Sequence, residues 1–262
     1  MKKNTFKKTI LMSLIAGTLV VPAYPKQTNA AYRYGNAKQK VVTEYMDKMA
    51  RVLWRPKKAV TIGGKPYNAK TTYRGMPYTQ LSNITYEEFE EKTGYGPANF
   101  FQIYTDSQGN DCTTAVALAW KTYFTSIDYA GIWTGDFLNC ARYGGNEKYH
   151  MKPVGGYQTN MASTKEYCVS AGFATVKRYY QQVQPGDCLF KYYSYTNSRG
   201  ESCLSKHAVL VIATSSTGVL ITDQIGRGNG DNIRTTWRRK KMISFQDLYK
   251  QNYLPVYCTD VR

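Results

Sequence analysis

The sequence predicts an α+β domain in which helices come first and an antiparallel sheet follows. Three observations predict it. Apolar residues recur at spacings of three and four from Asn36 to Leu53, an unbroken helix-forming stretch runs from Cys112 to Phe124, and β-branched or aromatic runs separated by turn residues follow Pro185-Gly186-Asp187. No internal repeat or low-complexity linker interrupts the chain, so residues 31–262 are read as a single domain behind a leader at 1–30.

The elements follow in order. Val42, Tyr45, Met46, Met49 and Leu53 fall on one helical face, and Pro56 is expected to end that helix. A polar, turn-rich stretch continues through Tyr78. A short helix over Tyr86 to Lys92 is marked by Thr85 with Glu88 three residues on, a capping box. The stretch CTTAVALAWKTYF, Cys112 to Phe124, has no Gly or Pro and reads as a mostly buried helix, with Asp111 as the natural N-cap. Glycines at 131, 135, 144, 145, 155 and 156 suggest loops in the middle of the chain, with a helix near Thr164 to Ala171. Strands are expected at Cys188–Tyr195, His207–Thr214 and Val219–Gln224, the last two joined by a hairpin at Ser215–Gly218. Ser244, with Asp247 three residues later, caps a short helix, and Leu254–Cys258 closes the fold as a strand.

With 42% of its 262 residues hydrophobic the chain can bury a sizeable core, which excludes intrinsic disorder. Lys2, Lys3, Lys7 and Lys8 precede an apolar stretch from Ile10 to Val21, and small residues follow, the layout of a secretory signal peptide with cleavage expected after Ala30. That stretch is well short of the roughly 20 residues a membrane-spanning helix needs. The protein is therefore expected to be secreted, or associated with the cell wall, and monomeric. The leader holds five lysines, those four and Lys26, and no acid, so the net charge of +17 falls to +12 in the mature part. Such a surface favours polyanions, and for an exported protein the nearest candidates are anionic cell-wall polymers, phospholipid headgroups or extracellular nucleic acid, the last the least expected.

All six cysteines, Cys112, Cys140, Cys168, Cys188, Cys203 and Cys258, lie in the mature part, where an oxidising compartment lets disulfides persist. If one is a free thiol, at most two bridges and a second odd thiol are expected among the other five, in a pairing that the sequence leaves open. No Cys-x-x-Cys or His-rich spacing marks a zinc site, and no cofactor or metal is called for.

Cys112 opens a helix directly after its cap, where the helix dipole favours an anion. The dipole contributes only about 0.3–1 kcal/mol, less than one pKa unit, so activation of the thiol requires a neighbouring imidazolium. Only His150 and His207 exist. His207 heads the apolar run HAVLVIA and would be rigidly held, whereas His150 sits in a Gly-rich, polar neighbourhood. A general base also needs an acceptor to fix its tautomer. The hairpin at Ser215–Gly218 returns Thr222-Asp223-Gln224 to the side of His207, and one residue of register decides which side chain faces the ring. Asp223 is preferred, because a carboxylate stabilises the imidazolium as well as orienting it; Gln224 would only orient.

The order NDCTTAVALAW, then PGDCLF, then His at the head of HAVLVIA, then a polar residue on the next strand, resembles the NlpC-type and CHAP-type cell-wall cysteine peptidases and amidases of papain-like fold. The 16 residues from His207 to Asp223 match the CHAP arrangement, which has Glu at that position, and GMPY at Gly75–Tyr78 resembles the Gly-x-Pro-Tyr element of NlpC-type domains. WRPKKAV and FQDLYKQNYLPVYC are similar to a secreted branch of the same group, so the likeness covers Trp54 to Cys258. About 33 residues separate Tyr78 from Cys112, Thr113 follows the cysteine where the family usually has Ser, and Asp stands third. The resemblance implies a nucleophile helix packed on an antiparallel sheet and a Cys112-His207-Asp223 triad that cleaves peptide or amide bonds of peptidoglycan through an acyl-enzyme. It also implies an oxyanion or substrate site drawn from the Cys112 amide and Tyr78, with Gln224 alongside.

Two other readings compete. A wall-binding module with the same fold and no catalysis is favoured if Cys112 is bridged. A basic extracellular polyanion binder would exploit the charge, although the run WRRKK at Trp237–Lys241 reads as a solvated face and the glycines at 226, 228 and 230 lack the setting of a phosphate loop.

Overall fold

The computed structural model describes residues 31–93, 109–123, 131–226 and 234–262. The expected leader at 1–30 and the glycines at 228 and 230 lie outside the described residues. Ala31–Arg262 form one compact unit. Among the described residues no helix is long and apolar enough to cross a membrane.

The chain begins with α1, Ala37–Arg51, whose Asn36 side chain accepts from Gln39 N while the Gln39 side chain accepts from Asn36 N. Val42, Met46 and Met49 are buried along one face, as the spacing predicts, and Ala50 joins them, while Tyr45 is half-buried and Leu53 falls beyond the helix. The helix ends before Pro56 because Val52 turns extended and Leu53–Trp54, β1, pairs antiparallel with Tyr73–Arg74, β4. Between them Val60–Ile62, β2, and Lys65–Tyr67, β3, form a second small ladder. The turn-rich stretch thus contains short strands that its polar composition hides. Trp54, Tyr67 and Tyr73 pack with ring centres 4.9–5.0 Å apart, Trp54 stacked on Tyr73 and Tyr67 edge-on to Tyr73, and supply its apolar anchor. The helix α2, Tyr86–Thr93, follows Thr85, which exchanges hydrogen bonds with Glu88 as a capping box.

Next comes α3, Cys112–Lys121, with every residue from Cys112 to Trp120 buried. Asp111 caps it, its Oδ1 accepting from Thr114 N at 2.8 Å. The helix packs on the sheet and against α1. Its far end is fixed by Trp120, whose indole N–H donates to the Gly186 carbonyl at 2.7 Å. The Pro-Gly-Asp turn before the first long strand therefore serves as a dock for the helix. Phe124 lies outside the described residues. A further helix, α4, Thr134–Tyr143, occupies part of the stretch read as loops. The following Met151–Pro153, β5, and α5, Thr164–Tyr180, complete the middle of the chain. Within α5 the expected helix from Thr164 ends at Ala171, because Gly172 (φ 73°, ψ 159°) is not helical, and a second helical segment runs from Phe173 to Tyr180.

One six-stranded antiparallel sheet organises the second half. It comprises β5, β6 (Cys188–Thr196), β7 (Ser202–Thr214), β8 (Gly218–Gln224), β9 (Trp237–Ser244) and β10 (Leu254–Cys258), in the order β5-β10-β6-β7-β8-β9. The hairpin between β7 and β8 is closed by Ser215 N donating to Gly218 O at 2.9 Å. Ser244 caps α6, Phe245–Lys250, and accepts from Asp247 N. The α+β class read from the sequence is the class observed.

Two irregularities in the sheet shape the site. In β7, Val211 pairs with Ile221 and Ala213 with Leu220, so Ile212 is an extra residue, a β-bulge. In β9, Ile221 pairs with Lys241 but Asp223 with Arg238, and Lys240 takes a left-handed conformation (φ 49°). Without that second bulge Arg239 would stand opposite Asp223. Arg239 instead grips Asp47 of α1, at 2.8 and 3.0 Å, and Arg238 is delivered to Asp223.

Candidate active site

His207 lies inside β7, five residues from its start, and not at a strand end as its place before the apolar run suggests. The strand begins at Ser202 because Ser202–Lys206 already pairs with β6. That position holds the ring firmly: Lys191 stands directly across the ladder on one side, and Asp223 approaches from the other. His207 Nε2 is 2.5 Å from Asp223 Oδ2. The Cys112 sulfur stands near enough to the imidazole to favour its protonated form.

The three residues singled out from the sequence are thus together, and each is held by its own element. Cys112 sits at the first turn of α3, His207 in the middle of β7, and Asp223 near the end of β8. Asp223 is completely buried and carries a second partner. Arg238 forks onto it, Nε to Oδ1 at 3.0 Å and Nη2 to Oδ2 at 2.5 Å, with Nη2 3.5 Å from His207 Nε2. Burial opposes ionisation of Asp223, but His207 and Arg238 outweigh it and hold the carboxyl below its usual range. Burial likewise opposes the charged form of His207; the Cys112 sulfur and the Asp223 carboxylate overcome it and raise the imidazole to about 9. At neutral pH the ring is an imidazolium beside the Cys112 sulfur, the pairing that activates sulfur.

Arg238 is the residue the sequence reading missed. Within WRRKK it belongs to a run that looks solvated, yet Trp237 is buried and Arg238 is partly buried against Asp223. The only signal was the aromatic residue opening the run, which marks a strand with one buried side.

Tyr78 reaches the site despite the long gap in sequence. It forms a parallel bridge with Asn110, two residues before Cys112, and Thr79 N donates to Asn110 O at 3.0 Å. Burial, then the neighbouring Cys112, raises its hydroxyl to about 12, so the phenol keeps its proton as a donor. Its ring lies against Gly226, where a Cβ would come within 3.1–3.2 Å of ring carbons.

Gln224 points elsewhere. Its amide N–H donates to the Met76 carbonyl at 2.9 Å, an oxygen that also accepts from the Trp237 indole at 2.8 Å and from Thr236 Oγ1 at 3.3 Å. The side chain expected beside the substrate instead anchors the segment that carries Tyr78. Thr113, which follows the cysteine, shares a 3.0 Å hydrogen bond with Thr134 and so ties the start of α3 to that of α4.

All six cysteines are free, so the expected bridges do not form and Cys112 is not tied to another sulfur. Five of the six are buried, where cysteine behaves as a small apolar residue. Burial pushes the Cys140 and Cys168 thiols up to about 12 and Cys188 well above its usual value, which leaves them unreactive. His150 engages Asp260 at 3.3 Å, away from the triad. Among the described residues no group of three His, Cys, Asp or Glu side chains is arranged to hold a metal.

A cavity of about 660 Å³ opens in front of His207, its walls including Tyr78, Lys191, Lys206, Arg238 and Tyr253. Cys112 is not part of the wall; 7% exposed, it sits near His207 and Tyr78. Comparison with protein-family models, with curated protein sequences and with solved structures finds no match to this chain.

Proposed function

We propose that the protein is a cysteine hydrolase of papain-like fold that cleaves peptide or amide bonds of peptidoglycan. The observation that carries the reading is the triad arrangement: a free thiol at a helix start, near an imidazole that a buried carboxylate orients. Such a constellation recurs on unrelated folds wherever an acyl group is transferred to a side-chain nucleophile.

In this reading the Cys112 thiolate attacks the amide carbonyl carbon, and a tetrahedral oxyanion forms. The first amide of α3, that of Cys112, and the Tyr78 hydroxyl are the donors nearest to hand for it. The C–N bond then breaks as the His207 imidazolium gives its proton to the leaving amine. A thioester remains on the sulfur. Neutral His207 next takes a proton from water, whose oxygen attacks the thioester, and the thiolate leaves as the carboxylic acid departs. Asp223 keeps the ring aligned and compensates its charge throughout.

The resemblance of NDCTTAVALAW, PGDCLF and HAVLVIA to cell-wall peptidases supplies the substrate class. The basic surface of the mature part fits an enzyme working against an anionic wall. The expected leader fits a protein that is exported. Purified peptidoglycan incubated with the wild type is expected to release new muropeptides visible by mass spectrometry, and Cys112→Ala and His207→Ala to release none. Equal products from all three proteins would overturn the reading.

A further inference from the structure

Among the described residues the charged groups that line the cavity in front of His207 are cations: Lys191, Lys206, His207 and Arg238 stand among tyrosines, apolar residues and the neutral polar Ser205 and Gln251, with no Asp or Glu. Arg238 and the His207 imidazolium share the single carboxylate of Asp223. Lys191 is not among its ion-pair partners. It stands directly opposite His207 in the β6–β7 ladder, partly buried, and among the described residues it forms no ion pair. Its ammonium lies 5.4 Å from the centre of the Tyr253 ring, a cation–π contact that fixes the side chain without cancelling its charge. Burial lowers its affinity for a proton, a cost that an anion in the cavity would offset.

From this placement the geometry points to a carboxylate subsite: Lys191 binds a free carboxylate of the substrate next to the carbonyl that Cys112 attacks, with Lys206 at the outer rim. The inference rests on the hydrolase reading and narrows it to amides that carry an acid group beside the scissile bond. Lys191 is a specificity residue, outside the triad, so its loss is expected to change which substrates react more than whether the thiol reacts.

Paired alkylation tests it without any assumption about the natural substrate. Iodoacetate and iodoacetamide each form a C–S bond to the Cys112 thiolate and expel iodide; they differ only in carrying a carboxylate or a neutral amide beside the attacked carbon. The rate on the Cys112 peptide, followed by mass spectrometry in the intact protein at pH 7, is expected to favour iodoacetate in the wild type. Lys191→Gln is expected to lower the iodoacetate-to-iodoacetamide ratio about tenfold, as removal of a close, partly buried charge implies. Lys191→Arg, which keeps the charge, is expected to hold the ratio within about twofold. An iodoacetamide rate unchanged across the variants certifies an intact site. Cys112 labelled by both reagents at a ratio that Lys191→Gln leaves unaltered would overturn the subsite and leave the hydrolase standing. Cys112 labelled by neither reagent would overturn the nucleophile itself, and the subsite with it.

Discussion

Asp223 shares a sheet face with His207 because Ile212 is an extra residue in β7. In the register that holds between the bulge and the site, Leu210 opposes Thr222, so Asp223 falls diagonally across from His207 and reaches its Nε2. Had the pairing of Ala213 with Leu220 continued unbroken, the even-numbered Thr222 and Gln224 would occupy that face instead. The bulge thus decides between a carboxylate and an amide as the partner of the imidazole. Asp223→Asn imposes the amide without moving the strand. It is expected to lower kcat/KM by roughly 10²-fold and to shift the loss of activity at alkaline pH to lower pH, read from a pH–rate profile.

The pH dependence follows from the sign of the His207 shift. The ring binds its proton more tightly folded than unfolded, with a folded pKa of about 9. Its contribution to stability is therefore fully present below the unfolded value of about 6.5 and is lost as pH rises through 9. Urea midpoints measured from pH 6 to 10 are expected to fall across that window in the wild type and to fall less in His207→Gln. Hydrolysis, which needs the imidazolium to protonate the leaving amine, is expected to decline about tenfold per pH unit above 9.

Arg238 makes Asp223 a carboxylate with two cations, and removal of one leaves a fully buried charge half compensated. Arg238→Met is expected to cost about 3 kcal/mol in urea unfolding at pH 7, at the lower end of what breaking a buried ion pair costs. Because the Asp223 pKa is depressed, that deficit is expected to shrink as pH falls through the carboxylate range. Arg238→Lys restores a charge but not the two-pronged geometry, and is expected to recover only part of the loss.

The Tyr78 hydroxyl, kept protonated by burial, is expected to act on the oxyanion and little on substrate binding. Tyr78→Phe should then reduce kcat by roughly 10²-fold or more while KM stays within a few-fold. A change confined to KM would assign the ring to binding.

The sequence revealed those parts of the fold whose pattern is local. Asp111 followed by an unbroken apolar run can only be a capped, buried helix, and Ser215–Gly218 between two β-branched runs can only be a hairpin. The bulge at Ile212 left no trace, because every residue from Ala208 to Ala213 is apolar and buried, so no alternation existed to be interrupted. Arg238 was hidden for the opposite reason: four consecutive cations mask a strand whose inward positions are taken by Trp237 and Ile243. Tyr78 was recognisable by its motif alone, since its approach to Cys112 depends on a bridge to Asn110 formed across a long insertion.

The anchoring of that tyrosine rests on Gly75, which directly follows β4 and lies three residues before Tyr78. Gly75 has φ 78°, and a Cβ there would fall 2.1 Å from Trp237 Cδ1. Its N–H donates to Val52 O, its carbonyl accepts from the Trp54 indole, and the next carbonyl, that of Met76, accepts from Gln224, Thr236 and Trp237. One glycine therefore lets the Tyr78 segment, the Trp54 cluster and β9 meet at a single point. Gly75→Ala is expected to combine backbone strain with a steric clash and to destabilise the fold by about 2–3 kcal/mol. Since Trp237 immediately precedes Arg238, displacement of the indole is also expected to loosen the grip on Asp223 and reduce turnover. Trp237→Leu in the Gly75→Ala background removes the clash but not the strain. If the clash dominates, the double variant should unfold at a higher temperature than Gly75→Ala alone; a further fall in Tm would show that the indole's hydrogen bond to Met76 matters more than the space it takes.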